Sequence, residues 1–151
     1  MENPPSTPFR ALGINHLGLA PKDVAKARWF FGTVLKLPFF GEELVKSQHT
    51  NTIMYCSTSS GGRAPDPARL EILEGEPGTQ GPITKYLEKK GSGIHHVAIT
   101  VDNVAAAIAH CTAAGVRMID AEPRPGAHQT SIAFVHPEST GGLLVELVQE
   151  K

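Results

Sequence analysis

Four residues of this chain have the types and placement that metal chemistry requires: His16, Glu71, His96 and Glu146. Each stands within a short apolar run: Ile14-Asn15-His16-Leu17-Gly18-Leu19, Leu70-Glu71-Ile72-Leu73, Ile94-His95-His96-Val97-Ala98-Ile99 and Val145-Glu146-Leu147-Val148. Alternate side chains of a strand share a face. His95, Val97, Ile99 and Val101 then form one side, suited to packing on a helix, and His96 lies opposite with Ala98 and Thr100. His16 lies beside the small Gly18 and Ala20, away from Leu17 and Leu19, and both glutamates point away from their apolar neighbours. Two imidazoles and two carboxylates converging on one cavity form a ligand set for a divalent ion, because buried carboxylates need a cation to offset their desolvation. Mixed nitrogen and oxygen donors suit a hard or borderline ion better than a thiolate-loving one. A lone mid-strand histidine is more often a hydrogen-bonded core residue, and a lone glutamate more often solvated. The paired recurrence favours the metal.

The elements that must position these residues come in two sets. A strand over 12–20 ends at Pro21, and Asp23 caps a helix over 24–35 whose apolar positions Val24, Ala27, Phe30, Phe31 and Val34 fall at helical spacing. Strands follow at 39–45, 52–57 and 69–73, with a loop at 58–67. A short helix around 83–89 leads to the second set: a strand at 94–101, an alanine-rich helix at 103–114 capped by Gly115, then strands at 116–119, 130–135 and 143–148. The histidines stand 80 residues apart and the glutamates 75, so each half reads as one strand–helix–three-strand module. The expectation is an α+β fold of two βαβββ modules, about 12–76 and 92–150, forming a curved mixed sheet around a metal-containing cup. They form one domain over 12–151, after a flexible N-terminus over 1–11.

Bulk properties narrow the function. The 151 residues are enough for one domain with a real core. A formal charge of −1 argues against nucleic-acid or membrane-surface binding. Cys56 and Cys111 lie in unrelated contexts, which excludes a disulfide framework and fits a reducing compartment. Met1-Glu2-Asn3-Pro4-Pro5 has no signal-peptide character and no apolar run reaches membrane length, so a cytoplasmic protein is expected.

The other candidates are weaker. His49, His110, His128 and His136 have no partner at ligand spacing, and His110 reads as a surface residue. Residues 123–128 read as a turn in which Arg124 could meet an anion. Residues 137–142 read as a loop whose backbone N–H groups could receive phosphate or carboxylate, or equally as a plain connection. Cys56 reads as a strand residue, and Lys85, Lys89 and Lys90 as the solvated side of a helix.

Paired βαβββ modules with His/Glu ligands resemble the vicinal oxygen chelate superfamily, which includes glyoxalase I, extradiol dioxygenases and thiol-transferring fosfomycin resistance proteins. Within it the second half resembles the methylmalonyl-CoA epimerases. The resemblance rests on Pro82-Ile83-Thr84-Lys85-Tyr86-Leu87, Gly93-Ile94-His95-His96-Val97-Ala98, Gly115-Val116-Arg117-Met118-Ile119-Asp120, Glu122-Pro123-Arg124-Pro125-Gly126-Ala127, Ala133-Phe134-Val135-His136-Pro137 and Gly141-Gly142-Leu143-Leu144-Val145-Glu146-Leu147. The first half is carried by Ile14-Asn15-His16-Leu17-Gly18-Leu19 alone.

The resemblance implies one divalent ion per chain (Co, Zn, Ni, Mn or Mg) held by His16, Glu71, His96 and Glu146. It implies a CoA or glutathione thioester substrate, an enolate formed beside the metal, Glu146 as an acid/base, and a homodimer. Some epimerases carry a second glutamate on the third strand; here Thr52 holds that place, with Gln48 and His49 nearby. The ligand set fits a glyoxalase I-type lactoylglutathione lyase equally well, and the second-half motifs favour the epimerase. An iron dioxygenase fits less well, since it needs two histidines, one carboxylate and open positions. A small-molecule-binding member without catalysis is the reading that Thr52 favours and the intact quartet opposes.

Overall fold

The computed structural model describes residues 9–59 and 67–151. The lead-in at 4–8 and most of the expected loop at 58–67 lie outside them. The elements are β1 (Ala11–Ala20), α1 (Val24–Arg28), β2 (Phe39–Val45), β3 (Thr50–Cys56), β4 (Arg69–Gly75), α2 (Pro82–Lys90), β5 (Gly93–Val101), α3 (Val104–Ala113), β6 (Arg124–Pro125), β7 (Ser131–Val135) and β8 (Val145–Gln149). The order βαβββ occurs twice, joined by α2. Packing divides the chain into two compact units, Ile14–Ala98 and the remainder.

In the unit Ile14–Ala98 the strand order is β2-β3-β4-β1-β5. β4 runs parallel to β1 and antiparallel to β3, so the sheet is mixed. One face packs Ile53, Tyr55 and Ile72 against Val24, Ala27 and Phe31 of the first helical segment and against Leu37. Fully burying an isoleucine contributes about 1.5–3 kcal/mol, and Ile53 and Ile72 are both 0% exposed. On the other face, Ala20 and Leu73 meet Ile83, Tyr86 and Leu87 of α2. Asp23 caps α1 as expected, its carboxylate accepting the Lys26 N–H at 2.9 Å. The helix over 24–35 is not uniform, however. Beyond Arg28 it widens into a π-helix over Trp29–Val34, in which Leu35 N–H reaches back to Phe30 O at 2.9 Å. Within this wide turn Gly32 sits against the Tyr55 ring, where a Cβ would stand 3.2 Å from the phenol.

In the other unit the order is β5-β8-β7-β6. Its core joins Val101, Val104, Ala107, Ile108, Ala133, Val135 and Leu147. Asn103 caps α3 by accepting the Ala106 N–H at 3.0 Å, and Gly115 ends it at φ 85°, a conformation that suits glycine. The strand expected at 116–119 is reduced to one bridge, Met118 with Val135. The cause lies one residue further on: the Asp120 carboxylate accepts the Phe134 N–H at 2.8 Å, so a side chain takes the place of the next ladder carbonyl. Within the stretch read as a turn, Arg124 and Pro125 pair with Ile132 and Ser131 as β6. Among the described residues no helix is long and apolar enough to cross a membrane.

Candidate metal centre

β1 lies between β4 and β5, and its register with β4 sets Gly18 opposite Glu71. Gly18 has no side chain to fill the space above it, and the His96 ring occupies that space. A Cβ on residue 18 would stand 2.2 Å from Cε1 and 2.3 Å from Nδ1 of His96. His16, two residues earlier on the same face, completes the group. His16, Glu71 and His96 are 4%, 5% and 5% exposed, and their ligand atoms all lie within 4.8 Å of one another.

The three ligand atoms form a definite triangle. Nε2 of His16 is 2.9 Å from Nε2 of His96, and Oε1 of Glu71 is 3.6 Å from the first and 4.0 Å from the second. The centre of the circle through those three atoms is about 2.1 Å from each, inside the roughly 2.0–2.2 Å of histidine and carboxylate bonds to a zinc-like ion. One point therefore lies at bonding distance from all three donor atoms. The donor set also fits chemically, since a buried carboxylate beside two imidazoles is stabilised by a shared cation.

Both imidazoles are held at their far nitrogens. Nδ1 of His16 lies 2.7 Å from Oδ1 of Asn15, and Nδ1 of His96 lies 2.9 Å from Nδ1 of His95. The Tyr86 ring meets His95 edge-on at 5.0 Å, and its hydroxyl donates to Ile94 O at 3.1 Å. Strand alternation places His95 on the apolar side and gives Asn15 no part in the site. The signal for both lies in the sequence, where each ligand histidine follows a polar residue capable of hydrogen bonding.

Glu146 lies on β8 in the other compact unit, 6% exposed and opposite Phe134 in the β7–β8 ladder. Its neighbours Val145 and Leu147 join the α3 core, leaving Glu146 on the opposite strand face. Thr52 is buried on β3, where its hydroxyl donates to Glu43 O at 3.1 Å, tying β3 to β2. His49 caps the β2–β3 connection in the left-handed region, paired with Glu76 at 2.9 Å. His110 is exposed and packs edge-on to Phe9. Arg124 is paired with Asp120 at 3.0 Å rather than presented to an anion. Cys56 is buried in β3, and burial pushes the Cys111 thiol up, which disfavours the thiolate.

The family model of the Glyoxalase/Bleomycin resistance protein/Dioxygenase superfamily matches residues 15–134. The chain belongs to this superfamily. Among its relatives, the mitochondrial methylmalonyl-CoA epimerase of Dictyostelium discoideum is 42% identical over 91% of this chain and 78% of that protein. The uncharacterized protein YqjC of Bacillus subtilis is 34% identical over 91% of this chain and 92% of its own length. A solved methylmalonyl-CoA epimerase in complex with methylmalonyl-CoA and ammonium is 30% identical, with a TM-score of 0.82 over 93% of this chain and 96% of that one. The architecture is thus that of the superfamily, and the His-Glu-His cluster lies within the matched residues.

Proposed function

We propose that this chain is a metal-dependent epimerase of a short-chain acyl-CoA such as methylmalonyl-CoA. The ion is held by His16, Glu71 and His96. The observation that carries the metal is the ligand triangle, whose centre lies at bonding distance from all three donor atoms. The substrate class is supported by likeness to proteins named as methylmalonyl-CoA epimerases, one of them bound to that thioester.

A divalent ion bound there supplies Lewis-acid polarisation of a substrate carbonyl and so lowers the cost of removing the proton on the adjacent carbon. The two imidazoles and the Glu71 carboxylate fix the position at which that polarisation acts, on three neighbouring strands rather than on loops. Glu146, which occupies in the second repeat the place that Glu71 has in the first, is assigned the acid/base role. Epimerisation transfers protons at both faces of the enolate. The Thr52 hydroxyl, already engaged with Glu43 O, offers no base where some epimerases have a second carboxylate. That observation favours one second reading, a glyoxalase I-type isomerisation of a glutathione hemithioacetal served by a single base.

Solvent-deuterium exchange at the α-carbon of methylmalonyl-CoA, run beside a hemithioacetal assay on metal-loaded protein, separates these readings. Exchange with inversion supports the epimerase, and turnover of the hemithioacetal alone transfers the assignment to the glyoxalase. Tight binding of the thioester with neither reaction leaves a binding protein.

A further inference from the structure

We propose that Asn15 and His95 are positioning residues that hold the two ligand histidines at Nδ1 and so leave Nε2 of each for the ion. The inference rests on the metal site proposed above and deepens it. Consecutive side chains on a strand ordinarily point to opposite faces. In both repeats the residue before the histidine nonetheless reaches its Nδ1, at 2.7 Å from Asn15 Oδ1 and 2.9 Å from His95 Nδ1. A neutral imidazole carries one proton, so whatever occupies Nδ1 decides whether Nε2 has a lone pair for an ion.

Asn15 Oδ1 only accepts, so it engages His16 through an N–H at Nδ1 and leaves Nε2 turned toward Glu71 and His96. His95 stands in the same relation to Nδ1 of His96. The Tyr86 ring, edge-on to His95 and anchored through its hydroxyl to Ile94 O, keeps His95 in place.

The test combines Zn2+ titration with imidazole 15N NMR on the full chain. Asn15→Leu and His95→Leu are each expected to lose roughly 10–100-fold in Zn2+ affinity, the range for removing such an outer partner. Asn15→Asp and His95→Asn, which keep an acceptor at the same place, are expected to restore it. In the Zn2+-loaded wild type, His16 and His96 should both be Nδ1–H, with Nε2 on the ion. Melting curves of the metal-free variants report whether a loss of affinity reflects unfolding, and if a leucine variant melts early the aspartate and asparagine variants carry the comparison. Folded leucine variants that bind Zn2+ as the wild type does, or a Zn2+-loaded His16 or His96 ligated through Nδ1, overturn the positioning roles while leaving the metal site standing. A wild type that takes up no Zn2+ overturns the metal site itself, and these roles with it.

Discussion

Gly18 and the His96 ring compete for one volume: a Cβ on residue 18 would stand 2.2 Å from the ring's Cε1. The ring cannot lean over β1 towards His16 and Glu71 unless residue 18 lacks a side chain. Gly18→Ala is therefore expected to swing His96 away and to weaken divalent-metal binding by roughly 10–100-fold. Forcing a methyl into this packed place should cost about 1–3 kcal/mol. Calorimetric titration and thermal melts check both numbers, and an alanine variant that binds metal like the wild type contradicts the geometry.

Metal binding should be visible as stability. An ion that binds only the folded chain adds about 2.7 kcal/mol at a free concentration a hundred times its Kd, so the melting temperature should rise on adding Zn2+ or Co2+ and fall back with a chelator. In His16→Ala and His96→Ala that rise should vanish, since each removes a nitrogen of the triangle. A rise that persists in both variants would place the stabilising ion elsewhere.

Glu146→Gln separates scaffold from chemistry. The amide is nearly isosteric and keeps an oxygen, but it is no base at neutral pH. The variant should fold and retain some metal, while α-proton exchange falls by roughly 10²–10⁴-fold, the usual contribution of a positioned base. Undiminished exchange in this variant would remove Glu146 from the reaction.

Acid should loosen the β2–β3 connection through Glu76. The hydrogen bond from His49 holds this carboxyl below its ordinary 4.5, with Lys46 adding attraction against the opposing effect of desolvation. A carboxyl lowered in the fold stabilises it fully above the unfolded value, and that contribution is lost as pH falls through the lower, folded value. Glu76→Gln should thus show a shallower loss of stability than wild type as pH drops below 4.5. Parallel pH curves for the two proteins would contradict this.

The site was legible in the sequence where strand alternation and repetition worked together. His16, Glu71 and His96 interrupt apolar runs, so the period-two rule gave their face and the repeat brought them together. The same rule concealed Asn15 and His95, because a contact between consecutive strand side chains runs against it. Gly18 was readable as small, whereas its necessity depends on a ring arriving from β5 across the sheet. In the fold, spacing located the first helix without revealing its wide turn, since apolar spacing leaves the last turns' hydrogen-bond reach open. Apolar character likewise suggested a strand at 116–119, which the Asp120 carboxylate cuts short by taking a backbone N–H.

Anomalous diffraction from crystals grown with Zn2+ or Co2+ tests the central claim most directly. The account predicts one strong peak per chain, about 2.1 Å from Nε2 of His16, Nε2 of His96 and Oε1 of Glu71, the centre that their present spacing defines. No peak at that point in metal-saturated crystals, or a peak only at surface groups such as His49 and Glu76, would contradict it.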